Sequence, residues 1–167
     1  VGGGLILNGR LHTDASGLPG HVGFSSSLFG NKLCNSGRYG TVESVASGNA
    51  IASAAAAIGY PDADARAVFK EANAGVAWAV ELVDRSASAI AELTADLVTI
   101  LGITKIAFGG SIGLADGYLG RIQKHLHAMP NLFQAQLVTA DFAAHGPLMG
   151  ALLNTNREKT DENTHFT

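Results

Sequence analysis

A chain of 167 residues, 47% of them hydrophobic, is long and apolar enough to bury one ordinary core, and its size implies a single domain. Its formal charge of -3 excludes a basic face that would draw in nucleic acid or an anionic membrane, and no run of about 18 apolar residues reads as a membrane-spanning helix. The single cysteine, Cys34, excludes an internal disulfide and leaves any cysteine-rich zinc site short of most of its ligands, as suits a reducing cytoplasm.

In chain order, Val1-Gly2-Gly3-Gly4 leads into the apolar Leu5–Leu7. Asn8-Gly9 then turns the chain into Arg10–Thr13, the pattern of a β-hairpin. A start on glycines beside a strand, with Val1 rather than Met, reads as an N-terminally truncated piece of a longer protein. Gly17, Pro19, Gly20 and Gly23 break regular structure, and Phe24 to Tyr39 is a loop or irregular hairpin rich in small polar residues.

From Val42 an alanine-rich register predicts helix, interrupted at Ser47-Gly48-Asn49, resumed over Ile51–Ile58 and stopped by Gly59-Tyr60-Pro61. Asp62 or Asp64 can cap a helix over Ala65–Ala74. The three- and four-residue spacing of Val80, Val83, Ala87, Ile90, Leu93 and Leu97 predicts a long core helix from about Val76 to Leu101, closed by Gly102. A strand over Ile103–Phe108, a helix over Leu114–Ala128, a strand over Gln136–Thr139 and a helix over Pro147–Leu153 follow, then a polar tail. The order is mixed α/β, with helices packed on a sheet.

The stretch from His21 to Gly48 concentrates the groups able to do chemistry. The Gly2–Gly4 run can present amide N–H groups to a phosphate or serve as a structural turn. Gly109-Gly110-Ser111, at the end of an apolar strand and the start of a helix, lets a phosphate or nucleotide approach both backbone and helix end, although the fuller GxGxxG and GxxxxGK[ST] patterns are absent. Glu43, at the mouth of the alanine-rich helix, can favour the positive helix end or accept sugar hydroxyls. His21 can contact a ligand or only its own turn, and His125 and His127, two apart on a helix, point to different faces. The many serines read as turn and cap residues, and Ser-His-Asp catalysis is not expected.

Taken together, VGGGLILNGRLHT, GLPGHVGF, CNSGRYGTVESVASGNAI, FGGSIGLADGYL and HGPLMGALL resemble, in order and spacing, the ROK family of sugar kinases and repressors, and within it the bacterial kinases of N-acetylmannosamine. The resemblance implies the C-terminal domain of an actin/hexokinase-like (ASKHA) fold over residues 1–154, with 155–167 a frayed tail and the N-terminal domain, bearing the general-base aspartate, missing. It implies transfer of the γ-phosphoryl group of ATP, with Mg²⁺, to the 6-hydroxyl of N-acetylmannosamine by a homodimer, which the charge and the single cysteine place in the cytoplasm with neither a nucleic-acid nor a membrane partner expected. This chain alone is then inactive. The same family leaves a sugar-sensing repressor, or an inactive truncated kinase, as alternatives.

By that resemblance His21 and Glu43 face the sugar, and Gly2, Gly3, Gly109, Gly110 and Ser111 face the nucleotide. The family's four zinc ligands fall on Phe24, Cys34, Ser36 and Thr41, of which only Cys34 is a zinc ligand, so no zinc is expected. Phe24 is expected to fill space beside the loop, and Ser36 and Thr41 to form backbone hydrogen bonds.

Overall fold

A computed structural model describes residues 1–142, 145, 146 and 148–150. The expected last helix, 147–153, lies partly outside these residues, and the polar tail, 155–167, wholly so.

The hairpin forms where Asn8-Gly9 demands it. Strands β1 (Ile6–Leu7) and β2 (Arg10–Leu11) pair antiparallel, Ile6 opposite Leu11, with Asn8 and Gly9 both left-handed at φ 52° and 77°. The alanine-rich segment splits into α1 (Glu43–Ala46) and α2 (Gly48–Ala57), but the expected break at Ser47-Gly48-Asn49 narrows to Ser47 alone, with Gly48 and Asn49 already in the second helix. Ser47 is extended, at ψ 155°, and its hydroxyl accepts from the Ala50 N–H at 3.1 Å, so the residue that ends one helix caps the next. Asp64, rather than Asp62, caps α3 (Ala65–Asn73) through the Ala67 N–H at 2.8 Å.

Helix α4 (Ala77–Leu101) is the axis of the core. Val83, Ala87, Ile90, Ala91 and Leu93 are buried along it at helical spacing, and Gly102 closes it in a left-handed cap. On α6 (Tyr118–His127), Tyr118, Ile122 and Leu126, each four residues from the next and all buried, form a stripe that packs on α4. Burying one such Ile or Leu side chain stabilises by about 1.5–3 kcal/mol, so α4 and α6 hold each other mainly by this stripe. Tyr118 also joins three helices. Its hydroxyl lies 2.6 Å from Ser86 Oγ on α4, and its ring meets Phe69 of α3 edge-on, with centroids 5.2 Å apart. Burial pushes the Tyr118 hydroxyl up to about 12, with the Ser86 bond opposing the shift. At the surface Arg121 donates to Asp84 at 2.7 Å and to the Ala72 carbonyl at 3.3 Å.

Strands β3 (Lys105–Phe108) and β4 (Gln136–Thr139) pair in parallel, Lys105 opposite Gln136 and Phe108 opposite Thr139. Two expectations need correction. The expected helix over 114–128 begins only at Tyr118, as α6, because Leu114–Gly117 is a turn that follows a separate short helix, α5 (Gly110–Gly113). Gly117 is left-handed at φ 74°, which a right-handed helix cannot pass through, and the turn is held by Asn73 Nδ2 donating to the Asp116 carbonyl at 3.0 Å. The strands also form two separate two-stranded pieces among the described residues, and most of the buried core is helix against helix. Among the described residues no helix is long and apolar enough to cross a membrane.

Candidate functional site

The glycine run at the chain start lies along the turn that carries His21. Gly3 N–H donates to the Gly20 carbonyl at 2.6 Å, and Gly20 is left-handed at φ 93°. A Cβ on Gly20 would overlap the Gly3 carbonyl oxygen. One on Gly23 would overlap the Val1 carbonyl and lie 2.8 Å from Val1 Cβ and 3.0 Å from Glu43 Oε2. Only glycine at both places lets three strands of backbone share this corner.

Glu43 enters the same corner as the first residue of α1. Its Oε2 accepts from the Val1 nitrogen, and 22% of its side chain is exposed. His21 immediately precedes a 3₁₀ turn over Val22–Phe24. Its Nδ1 lies 3.1 Å from the Leu18 carbonyl, and its ring stacks on Phe24 at 5.3 Å between centroids and 30° between planes. The sequence-derived residues Gly3, His21 and Glu43 thus converge on one turn, and Gly2 lies in the run between Val1 and Gly3.

Cys34, Ser36 and Thr41 also come together. The sulfur lies 2.9 Å from Ser36 Oγ, and hydrogen bonds from Ser36 and then Thr41 bring the Cys34 thiol down to about 7 by stabilising its thiolate form. Both hydroxyls also accept from backbone, Ser36 from Arg38 at 3.3 Å and the fully buried Thr41 from Ser44 at 3.3 Å, as expected. Two isolated bridges, Ser26 with Thr41 and Leu33 with Tyr39, fold the loop back on itself.

Phe24 joins this loop through a residue that sequence reasoning passed over. Arg38 Nη1 donates to the Phe24 carbonyl at 2.6 Å and Nη2 to Ser26 Oγ at 3.1 Å. Among the described residues no three of His, Cys, Asp and Glu converge as a metal-binding group, and His125 and His127 flank the buried Leu126.

The nucleotide-side expectations separate. Ser111 lines a cleft of about 790 Å³ where α2, α3 and α5 begin, together with Gly48, Asn49, Asp64, Arg66 and Lys70. Gly2, Gly3, Gly109 and Gly110 are not among its walls. The cleft falls in the 300–1,000 Å³ range of small-molecule sites. Arg66 and Lys70, four apart on α3, form no ion pair among the described residues. Their i,i+4 spacing is visible in the sequence, but that they face Ser111 depends on how α3 packs.

Comparison with known proteins identifies relatives. The family profile described as ROK family matches residues 1–157. An N-acetylmannosamine kinase of Haemophilus influenzae is 42% identical over 151 residues, covering 90% of this chain and 50% of that protein. One of Citrobacter koseri is 40% identical over 159 residues, 95% of this chain and 54% of that protein. The chain spans about half the length of the relatives it matches. A ROK hexokinase from Thermus thermophilus superposes with a TM-score of 0.84 at 29% identity, over 96% of this chain and 55% of that one. The fold is accordingly the actin/hexokinase-like one that the motifs led us to expect.

Proposed function

The chain belongs to the ROK family, and from that premise we propose that it serves an ATP-dependent kinase that phosphorylates the 6-hydroxyl of N-acetylmannosamine. The observation that carries this reading is the convergence of the glycine run, His21 and Glu43 on the turn at residues 20–24. The names borne by relatives at 40–42% identity support the choice of sugar.

In the proposed reaction the bond from the γ-phosphorus to its bridging oxygen breaks as a bond to the sugar O6 forms. The O6 proton passes to an aspartate in the other domain of the family's two-domain pattern, so this chain alone binds and orients without turnover. Glu43, an acceptor-only carboxylate, takes hydrogen bonds from sugar hydroxyls and fixes the ring so that O6 faces the phosphate. His21 adds a further contact. The Gly2 amide faces the phosphates, and Gly3 holds the run to the turn because its N–H is taken by the Gly20 carbonyl. Gly109 and Gly110 lead the chain to the nucleotide, and the adenosine lies in the cleft lined by Ser111, whose volume and polar rim suit a nucleoside. Mg²⁺ enters with the ATP phosphates, where it offsets charge.

Zinc has no role in this reading, because one thiol and two hydroxyls are not the donors of a closed tetrahedral site. The protein is proposed to act in the cytoplasm as a homodimer.

Glu43→Gln in the full-length protein tests the assignment. Loss of a charge-assisted bond worth about 1.5–3 kcal/mol should lower kcat/KM for N-acetylmannosamine by about 10- to 100-fold while ATP binding persists. Unchanged sugar phosphorylation would sink it. Sugar binding by the unaltered protein without any product would favour a sugar-sensing regulator instead.

A further inference from the structure

We propose that Phe24 is a positioning residue for sugar recognition, holding the His21 imidazole in one orientation and one tautomer. The inference rests on the reading of His21 as a sugar contact and adds the group that fixes it.

His21 is exposed, and an exposed histidine turns about its side-chain bonds unless neighbours hold it. Two do. Phe24 stacks on one face of the ring, 5.3 Å away and 30° from parallel. On the ring edge, the Leu18 carbonyl lies 3.1 Å from Nδ1. A carbonyl can only accept, so Nδ1 carries the proton, and in the neutral ring Nε2 keeps a lone pair with no hydrogen-bond partner among the described residues. A sugar hydroxyl that donates to Nε2 meets an acceptor already aimed.

The turn explains why Phe24 can do this. His21 and Phe24 are three residues apart across a 3₁₀ turn, in which side chains at that spacing eclipse, and Phe24 N–H donates to the His21 carbonyl at 3.0 Å. Phe24 is held in turn from outside: the Arg38 guanidinium grips its carbonyl at 2.6 Å and Ser26 Oγ at 3.1 Å. The chain of contacts runs from the 34–41 loop through Arg38 and Phe24 to the ring that meets the sugar. Holding that ring before the ligand arrives removes ordering cost from binding and leaves the chemical step alone.

Steady-state kinetics of the full-length protein test this. Phe24→Met keeps the apolar bulk and removes the stack. KM for N-acetylmannosamine should rise about 3- to 10-fold, as loss of a contact of about 1 kcal/mol gives, with kcat and KM for ATP unchanged. Phe24→Tyr, which restores the ring, should restore KM. Arg38→Gln, at an exposed site that does not disturb the core, should shift KM in the same direction. Ring-nitrogen NMR should show His21 protonated at Nδ1 in the unaltered protein and as a tautomer mixture in Phe24→Met.

An unchanged sugar KM in Phe24→Met, or a rise that Phe24→Tyr does not reverse, would overturn the inference. His21→Ala separates the two readings: an unchanged sugar KM there removes His21 from the sugar site, and this inference with it. A raised KM in His21→Ala with none in Phe24→Met removes the positioning role alone.

Discussion

At Gly23 one hydrogen atom stands where any other residue would place a carbon against Val1 and Glu43. Gly23→Ala should therefore act in two ways. Overlap with fixed backbone typically costs about 1–3 kcal/mol, readable as a lowered Tm. Displacement of Glu43 should raise the sugar KM more than the ATP KM in steady-state kinetics, and a variant with wild-type Tm and sugar KM would refute the crowding argument. His21 and Glu43 were legible in the sequence because their motifs carry them at fixed spacing. Cys34 and Ser36 are also neighbours by spacing. That Thr41 reaches the same sulfur was not legible, since it depends on the two bridges that fold the 24–41 loop, and the Arg38 clamp spans the same long-range closure.

Among the elements, α4 announced itself through periodicity, and Ser47 and Asp64 through cap chemistry. The division at Gly117 did not, because a helix-compatible register runs through Leu114–Ala128 and only the Asn73 contact with Asp116 shows why the chain turns there. Tyr118, the first residue after that turn, supplies a prediction at this scale. Its folded-state pKa is raised from 10.0 to about 12, so as pH rises through 10 the unfolded chain gives up the phenolic proton while the folded chain keeps it. Stability then falls between about pH 10 and 12, and is unaffected by this group below 10. Tyr118→Phe should flatten that alkaline decline in denaturant titrations. At neutral pH it should cost about 1–3 kcal/mol, because Ser86 is left buried without its partner. An alkaline decline as steep as that of the unaltered protein would show that Tyr118 is not its source.

For the molecule as a whole, composition and length set the class, and the joint motif order set the fold. The cleft stayed hidden. Its walls come from Gly48, Asp64, Arg66 and Ser111, at the starts of three helices, and each residue alone reads as a cap, a surface charge or a turn. The single sheet implied by the order of elements failed for a related reason. Strand pairing depends on partners across the chain, and β1 and β3 find different ones.

The 25-residue span of α4, about 37 Å long at 1.5 Å per residue, gives the protein an internal clock for amide hydrogen exchange. Val83 to Thr94 lie in its most buried part and should exchange only when the whole domain opens, whereas the hairpin at residues 6–11 and the turn at 20–24 should exchange through local fluctuations. Added N-acetylmannosamine should then slow exchange at the turn by far more than it slows α4. Equal slowing at both would mean that the sugar acts by global stabilisation and leaves no local footprint at His21 and Glu43.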